Sequence, residues 1–100
     1  MAFNKLTDGE IERLALLSEE CGECVQAIGK VLRHGWESCH PDGGENNRQL
    51  LIREIADVRM AMQLMVDAHD MNIEDIVNYE FAKRCTSEHY LHHNKGAGIG

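Results

Sequence analysis

The chain has 100 residues, 43% of them hydrophobic and 27% charged, with a mean hydropathy of −0.39. This is the make-up of one small folded domain, and no apolar run approaches the roughly 20 residues that a membrane helix needs. Seventeen acids against 10 bases leave a net charge of −7, which argues against unaided binding to nucleic acid or to an anionic membrane.

The start, Met1 to Asp8, lacks the long apolar core of a signal peptide, so a cytoplasmic protein is expected. Thr7-Asp8-Gly9-Glu10 has the form of a capping box, with Thr7 as the cap and Glu10 reaching back. Ile11, Leu14, Ser18, Cys21, Val25, Ile28 and Leu32 then recur at helical spacing, which predicts a first helix over about residues 8–33. Gly22 and Gly29 lie inside it on one face, either to allow close approach of a backbone or a ligand or as tolerated defects in the helix.

Residues 34–46 hold the only proline and three of the nine glycines, and are expected to form a loop long enough to carry function. Asn46 or Asn47 caps a second helix expected over about 47–69. That helix is apolar almost all round between Ile55 and Ala68, with a narrow polar stripe of Arg59, Gln63 and Asp67. A helix of this kind is buried on most sides, and so short a chain cannot wrap it alone, so a dimer or larger oligomer is expected. The methionines at 60, 62 and 65 suit core and interface filling. Asn72 caps a third helix expected to about residue 84, with a possible continuation toward 93, and residues 96–100 are a tail beyond a single all-α domain of 1–95.

The strongest chemical signal is a pair of acidic pairs. Glu20 and Glu23 share a face of the first helix in the stripe Leu16, Glu20, Glu23, Ala27. Glu54 and Asp57 do the same on the second helix, in the stripe Leu50, Glu54, Asp57, Ala61, Leu64, Ala68. Carboxylates on an apolar stripe cost free energy unless compensated, and two bare ones about 4 Å apart repel by about 4 kcal/mol at an effective dielectric near 20. The simplest compensation for four is a divalent cation that takes oxygen ligands, Mg²⁺ with Mn²⁺ as a substitute.

Rival readings are weaker. Cys21 and Cys24 have a zinc-like spacing, but they lie within the helical pattern, where Cys21 serves as a small hydrophobe; the four cysteines are expected as thiols. Cys21 as a nucleophile would need a base or a stabilising charge, and its neighbours are acids. Glu37-Ser38-Cys39-His40 matches a di-iron motif in letters but falls in the loop. His89, His92 and His93 form a surface or tail cluster. Lys30 with Arg33, Arg48 with Arg53, and Lys83 with Arg84 lie at helix ends, where they suit either phosphate contacts or the helix dipole. Trp36 is placed either to stack on a base or to anchor the loop.

With Glu19-Glu20-Cys21-Gly22-Glu23 followed by Glu54-Ile55-Ala56-Asp57, the chain resembles the MazG family of all-α nucleotide pyrophosphohydrolases over about residues 10–93. The 30 residues between the two halves slightly exceed the family's common spacer. The extra length is the loop, whose Arg33-His34-Gly35-Trp36 and His40-Pro41 to Asn47-Arg48 resemble a phage-associated subgroup. The resemblance implies an antiparallel helical bundle completed by oligomerisation. It also implies hydrolysis of an NTP or dNTP to the monophosphate and pyrophosphate, with Mg²⁺ held by Glu20, Glu23, Glu54 and Asp57. Glu19 would stand behind the ligands or orient the attacking water, and Lys83, with Asn78 and Arg84, would contact the triphosphate. Phosphoribosyl-ATP or another nucleotide-like pyrophosphate is the alternative substrate. A non-catalytic helical oligomerisation module, its acids paired with Lys30, Arg48 or Arg53, is the alternative of another class.

Overall fold

The computed structural model describes residues 3–93. Its regular structure is helical: α1 (Asp8–His34), α2 (Asn47–Asp67) and α3 (Ile73–Ser87). Among the described residues there is no strand, and one isolated antiparallel bridge joins Cys39 to Asn46. The fold class is therefore all-α, and no described helix is long and apolar enough to cross a membrane. The chain divides after Asp70 into two units, the first holding α1 and α2 and the second holding α3. The tail expected at 96–100 lies outside the described residues.

Each helix begins where its cap lies. The Thr7 hydroxyl accepts from the Glu10 amide at 3.1 Å, and the Glu10 carboxylate accepts from the Thr7 amide at 2.8 Å. Asn46, not Asn47, caps α2, and Gln49 closes a second capping box with it. Asn72 caps α3 by accepting from the Glu74 amide. The far ends stop for backbone reasons. Gly35 leaves the helical region at φ +85° while its N–H still reaches the Val31 carbonyl, so α1 takes in His34 and the loop starts one residue later than expected. His69 sits at φ +63°, which turns the chain out of α2 two residues before the expected end.

In the first unit α1 and α2 pack antiparallel. Arg13 near the start of α1 meets Asp70 just past the end of α2, and Lys30 and Gly35 near the end of α1 meet Asn47 at the start of α2. The buried centre consists of Ala27, Ala61 and Met65, small or pliable side chains that let the two backbones come close. The inner face of α2 runs through Leu50, Glu54, Asp57, Ala61 and Met65; the outer end of the expected stripe, Leu64 and Ala68, is exposed.

The face of α1 that packs is the one carrying Leu16, Glu20, Cys24, Ala27 and Val31. The more apolar stripe, from Ile11 to Leu32, points away, with Val25 67% and Leu32 81% exposed and Cys21 exposed too. Nor is α2 buried on most sides within one chain: Ile52, Ile55, Met60 and Leu64 are all exposed. Helical periodicity identifies faces that avoid water, but two such faces on one helix do not reveal which of them the neighbour takes. In the second unit α3 has no buried residue, and Tyr79 and Phe81 stand exposed.

Candidate functional site

The antiparallel register brings the two acidic pairs to the same level. One oxygen from each of Glu20, Glu23, Glu54 and Asp57 can be chosen so that all four lie within 4.8 Å of one another. Glu20, Glu54 and Asp57 are half-buried, and Glu23 stands at the exposed rim. Oε2 of Glu20 and Oε2 of Glu54 are enclosed with no hydrogen-bond partner. Buried acceptors in a folded protein are nearly always satisfied, so each orphan calls for a physical reason, a bound ion among them.

The electrostatics agree with this. Burial pushes the Glu20 carboxyl up from its ordinary value, and the charges of Glu23, Asp57, Glu19 and Glu54 push it the same way. Burial also raises Glu54, with the charges of Glu23 and Asp57 adding to the effect, while Lys30 pulls the other way. Four oxygens with no nitrogen or sulfur among them suit a hard cation. Ligand atoms on opposite sides of Mg²⁺ stand about 4.2 Å apart and those around Ca²⁺ about 5 Å, so the observed span accommodates cations of this class with little movement.

A cleft of about 300 Å³ opens beside the carboxylates, lined by Glu23, Gln26, Ala27, Lys30, Asn47, Leu50 and Glu54. Lys30 is thus the one expected substrate-binding residue that lines the acidic cleft. Glu19 is exposed on α1 beside Glu20 and lies outside the four-ligand cluster. Trp36 is half-exposed on the loop, with the Arg48 guanidinium 5.2 Å over its ring and its carbonyl accepting from the Arg48 amide at 3.0 Å. Asn78, Lys83 and Arg84 are exposed on α3, in the second unit, and Arg84 pairs with Glu88 at 3.6 Å.

Arg48 and Arg53 do not neutralise the quartet. Arg48 is paired with Glu37, and Arg53 with Glu45 at 2.5 Å. Cys21, Cys24, Cys39 and Cys85 are free thiols, and among the described residues neither a cysteine nor His89, His92 or His93 joins a cluster of three or more ligand side chains. Of the two glycines inside α1, Gly22 faces open space, whereas Gly29 lies under the Arg33 side chain, whose Nη1 would be 3.2 Å from a Cβ placed there.

Sequence reasoning missed Asn47. Its side chain is 7% exposed and donates to the carbonyls of Gly35 at 3.0 Å and Lys30 at 3.4 Å, while its backbone N–H donates to Ser38 at 2.9 Å. It therefore ties the end of α1, the loop and the start of α2 together at the edge of the cleft. The available signal was the doublet Asn46-Asn47, since a helix needs only one cap. No protein-family model, curated protein or solved structure matches the chain at a significant level.

Proposed function

We propose that the chain is a Mg²⁺-dependent nucleotide pyrophosphohydrolase of the MazG-like type, converting an NTP or dNTP and water to the monophosphate and pyrophosphate. The observation that carries this reading is the meeting of four carboxylates from two helices with two of their buried oxygens left without a donor. Such an arrangement costs free energy, and a bound cation would offset that cost. Arg48 and Arg53 are engaged elsewhere, which weighs against the salt-bridged, non-catalytic module.

In this proposal Glu20, Glu23, Glu54 and Asp57 hold the cation, with Mn²⁺ able to substitute. When bound, Mg²⁺ offsets phosphate charge and lowers the pKa of a coordinated water. The side chains do the positioning that phosphoryl transfer chiefly requires. Lys30, on the cleft wall, meets a phosphate oxygen. Glu19, exposed beside Glu20, orients the attacking water and takes its proton as the new O–P bond forms at the α-phosphorus. The bridging bond to the β-phosphate breaks, and its electron pair leaves with pyrophosphate. Trp36 borders the nucleoside, and Asn78, Lys83 and Arg84 are the phosphate-binding residues that the family resemblance implies.

The exposed stripe of Ile11, Leu14, Val25, Ile28 and Leu32 supports assembly of the α1–α2 pair into a larger bundle as a homodimer or homotetramer. The decisive experiment measures pyrophosphate release from canonical and modified NTPs and dNTPs, and from phosphoribosyl-ATP, with Mg²⁺, Mn²⁺ or EDTA. Metal-dependent release that Glu54→Gln abolishes supports the enzyme and begins to name its substrate. A folded protein that releases nothing from any of them, and whose thermal stability is indifferent to metal, refutes the proposal.

A further inference from the structure

A second cleft, of about 500 Å³, lies between the end of α1 and the loop. It shares Lys30, Asn47 and Leu50 with the acidic cleft, so the two are contiguous. Their charges differ in sign. The first cleft is dominated by carboxylates, whereas the second is lined by Lys30 and Arg33, with Ser38 and His40 on the loop wall. Its acid, Glu45, is already paired with Arg53. Neither Lys30 nor Arg33 makes an ion pair among the described residues.

The wall is built rather than loose. Asn47 holds the end of α1 and Ser38 together, the Cys39–Asn46 bridge closes the loop on itself, and the Gly43 N–H turns back to His40 at 2.8 Å. The N–H groups at the start of α2 are spent on this closure: Asn47 on Ser38, Arg48 on Trp36, and Gln49 on the Asn46 side chain. An anion in the second cleft must therefore be held by side chains rather than by the helix N-terminus. Arg33 is well placed for this, because Gly29 beneath it leaves room for its guanidinium to lie along α1.

We propose that this second cleft is a polyphosphate subsite, in which Arg33 and Lys30 hold the phosphate chain of a ligand whose reacting end lies at the carboxylates. The proposal rests on the hydrolase reading for that reacting end, but its binding chemistry is separate. A guanidinium fork matches phosphate geometry, and Lys30, at the junction, serves both clefts.

The test uses the ¹⁵N-labelled full chain with Mg²⁺ and inorganic tripolyphosphate as the probe. Tripolyphosphate is expected to shift the backbone amides of residues 33–40 and the Arg33 side-chain Nε. Arg33→Gln is expected to raise its Kd by about tenfold, with Arg33→Lys recovering part of the loss and Mn²⁺ affinity at the carboxylates unchanged in both. Absence of those shifts overturns the subsite, as does an Arg33→Gln Kd equal to wild type. So does movement of the same amides by a phosphate-free nucleoside but not by tripolyphosphate. The two readings fail separately. Arg33-dependent tripolyphosphate binding without hydrolysis of any nucleotide keeps the subsite and removes the enzyme. Turnover that Glu54→Gln abolishes, but that retains wild-type KM in Arg33→Gln, keeps the enzyme and removes the subsite.

Discussion

Asp70 and Glu54 are both half-buried carboxylates of the α1–α2 unit, and the chain treats them in opposite ways. Asp70 receives two hydrogen bonds from the Arg13 guanidinium, at 2.6 and 3.0 Å, and these hold its carboxyl below the ordinary value. Glu54 receives no such partner, sits among three other acids and is pushed up by its burial. The same pair of helices can therefore compensate a carboxylate with arginine and does so at one end. In the middle it gathers four with only Lys30 to offset them. The contrast separates a carboxylate that the chain compensates with arginine from carboxylates that it leaves without such a partner.

Breaking the second site is expected to have the largest effect, and on function. Losing an outer partner of a metal ligand costs up to about 100-fold in affinity or activity. Glu54→Gln, which removes a ligand itself, should cost at least that much in pyrophosphate release and abolish the loss of free Mn²⁺ signal that binding produces in electron paramagnetic resonance. Stability then shows the comparison as a difference in sign. Without metal at neutral pH, Glu54→Gln should raise Tm because it relieves repulsion, whereas Asp70→Asn should lower Tm by about 5 °C because it leaves Arg13 without its partner. A fall in both, measured by differential scanning calorimetry in EDTA, would mean that the quartet is as structural as the ion pair.

Acid titration sharpens the same point. Glu20 and Glu54 are raised in the folded state, so folding favours their protonated forms. Metal-free stability should rise as pH falls from neutral toward the ordinary glutamate value of 4.5, and be lost again as pH climbs through the raised range. Asp70 is depressed, so its contribution is present above 3.8 and is lost as pH falls below that value. Saturating Mg²⁺ should flatten the first limb and leave the second unchanged, which Tm measured across pH with and without metal would reveal. The smallest effect on metal-free stability is expected from Lys30→Met. Removing the charge that draws Glu54 down should steepen the metal-free limb slightly and leave the Asp70 limb where it was.

Much of this is legible in the sequence. Thr7, Asn46 and Asn72 announce helix starts because a side-chain oxygen there satisfies an N–H that the helix cannot. Glu20, Glu23, Glu54 and Asp57 stand out because acids three apart on an apolar face need an explanation, and both pairs needed the same one. The loop between Gly35 and Asn46 was visible as punctuation, but its closure by Asn47 was not, since a single asparagine does not disclose which distant carbonyls it will reach. The Arg13–Asp70 pair joins residues 57 positions apart and rests on register alone. The apolar stripe from Ile11 to Leu32 marks a helix but lies outside the α1–α2 contact, because hydrophobic periodicity carries no information about the identity of the neighbour.

The clamp at Asn47 and the ion pair at Arg13 and Asp70 also act as two pins at opposite ends of a pair of rods. Between them the meeting of the four carboxylates is a matter of phase. Each residue advances a helix by about 100°, so deleting one residue between Asn47 and Glu54 would swing Glu54 and Asp57 off the shared face without altering a single side chain. The stretch from Asp42 to Gly44 lies outside both pins. A change of length there would alter the turn that Gly43 closes on His40 while leaving the carboxylates in step.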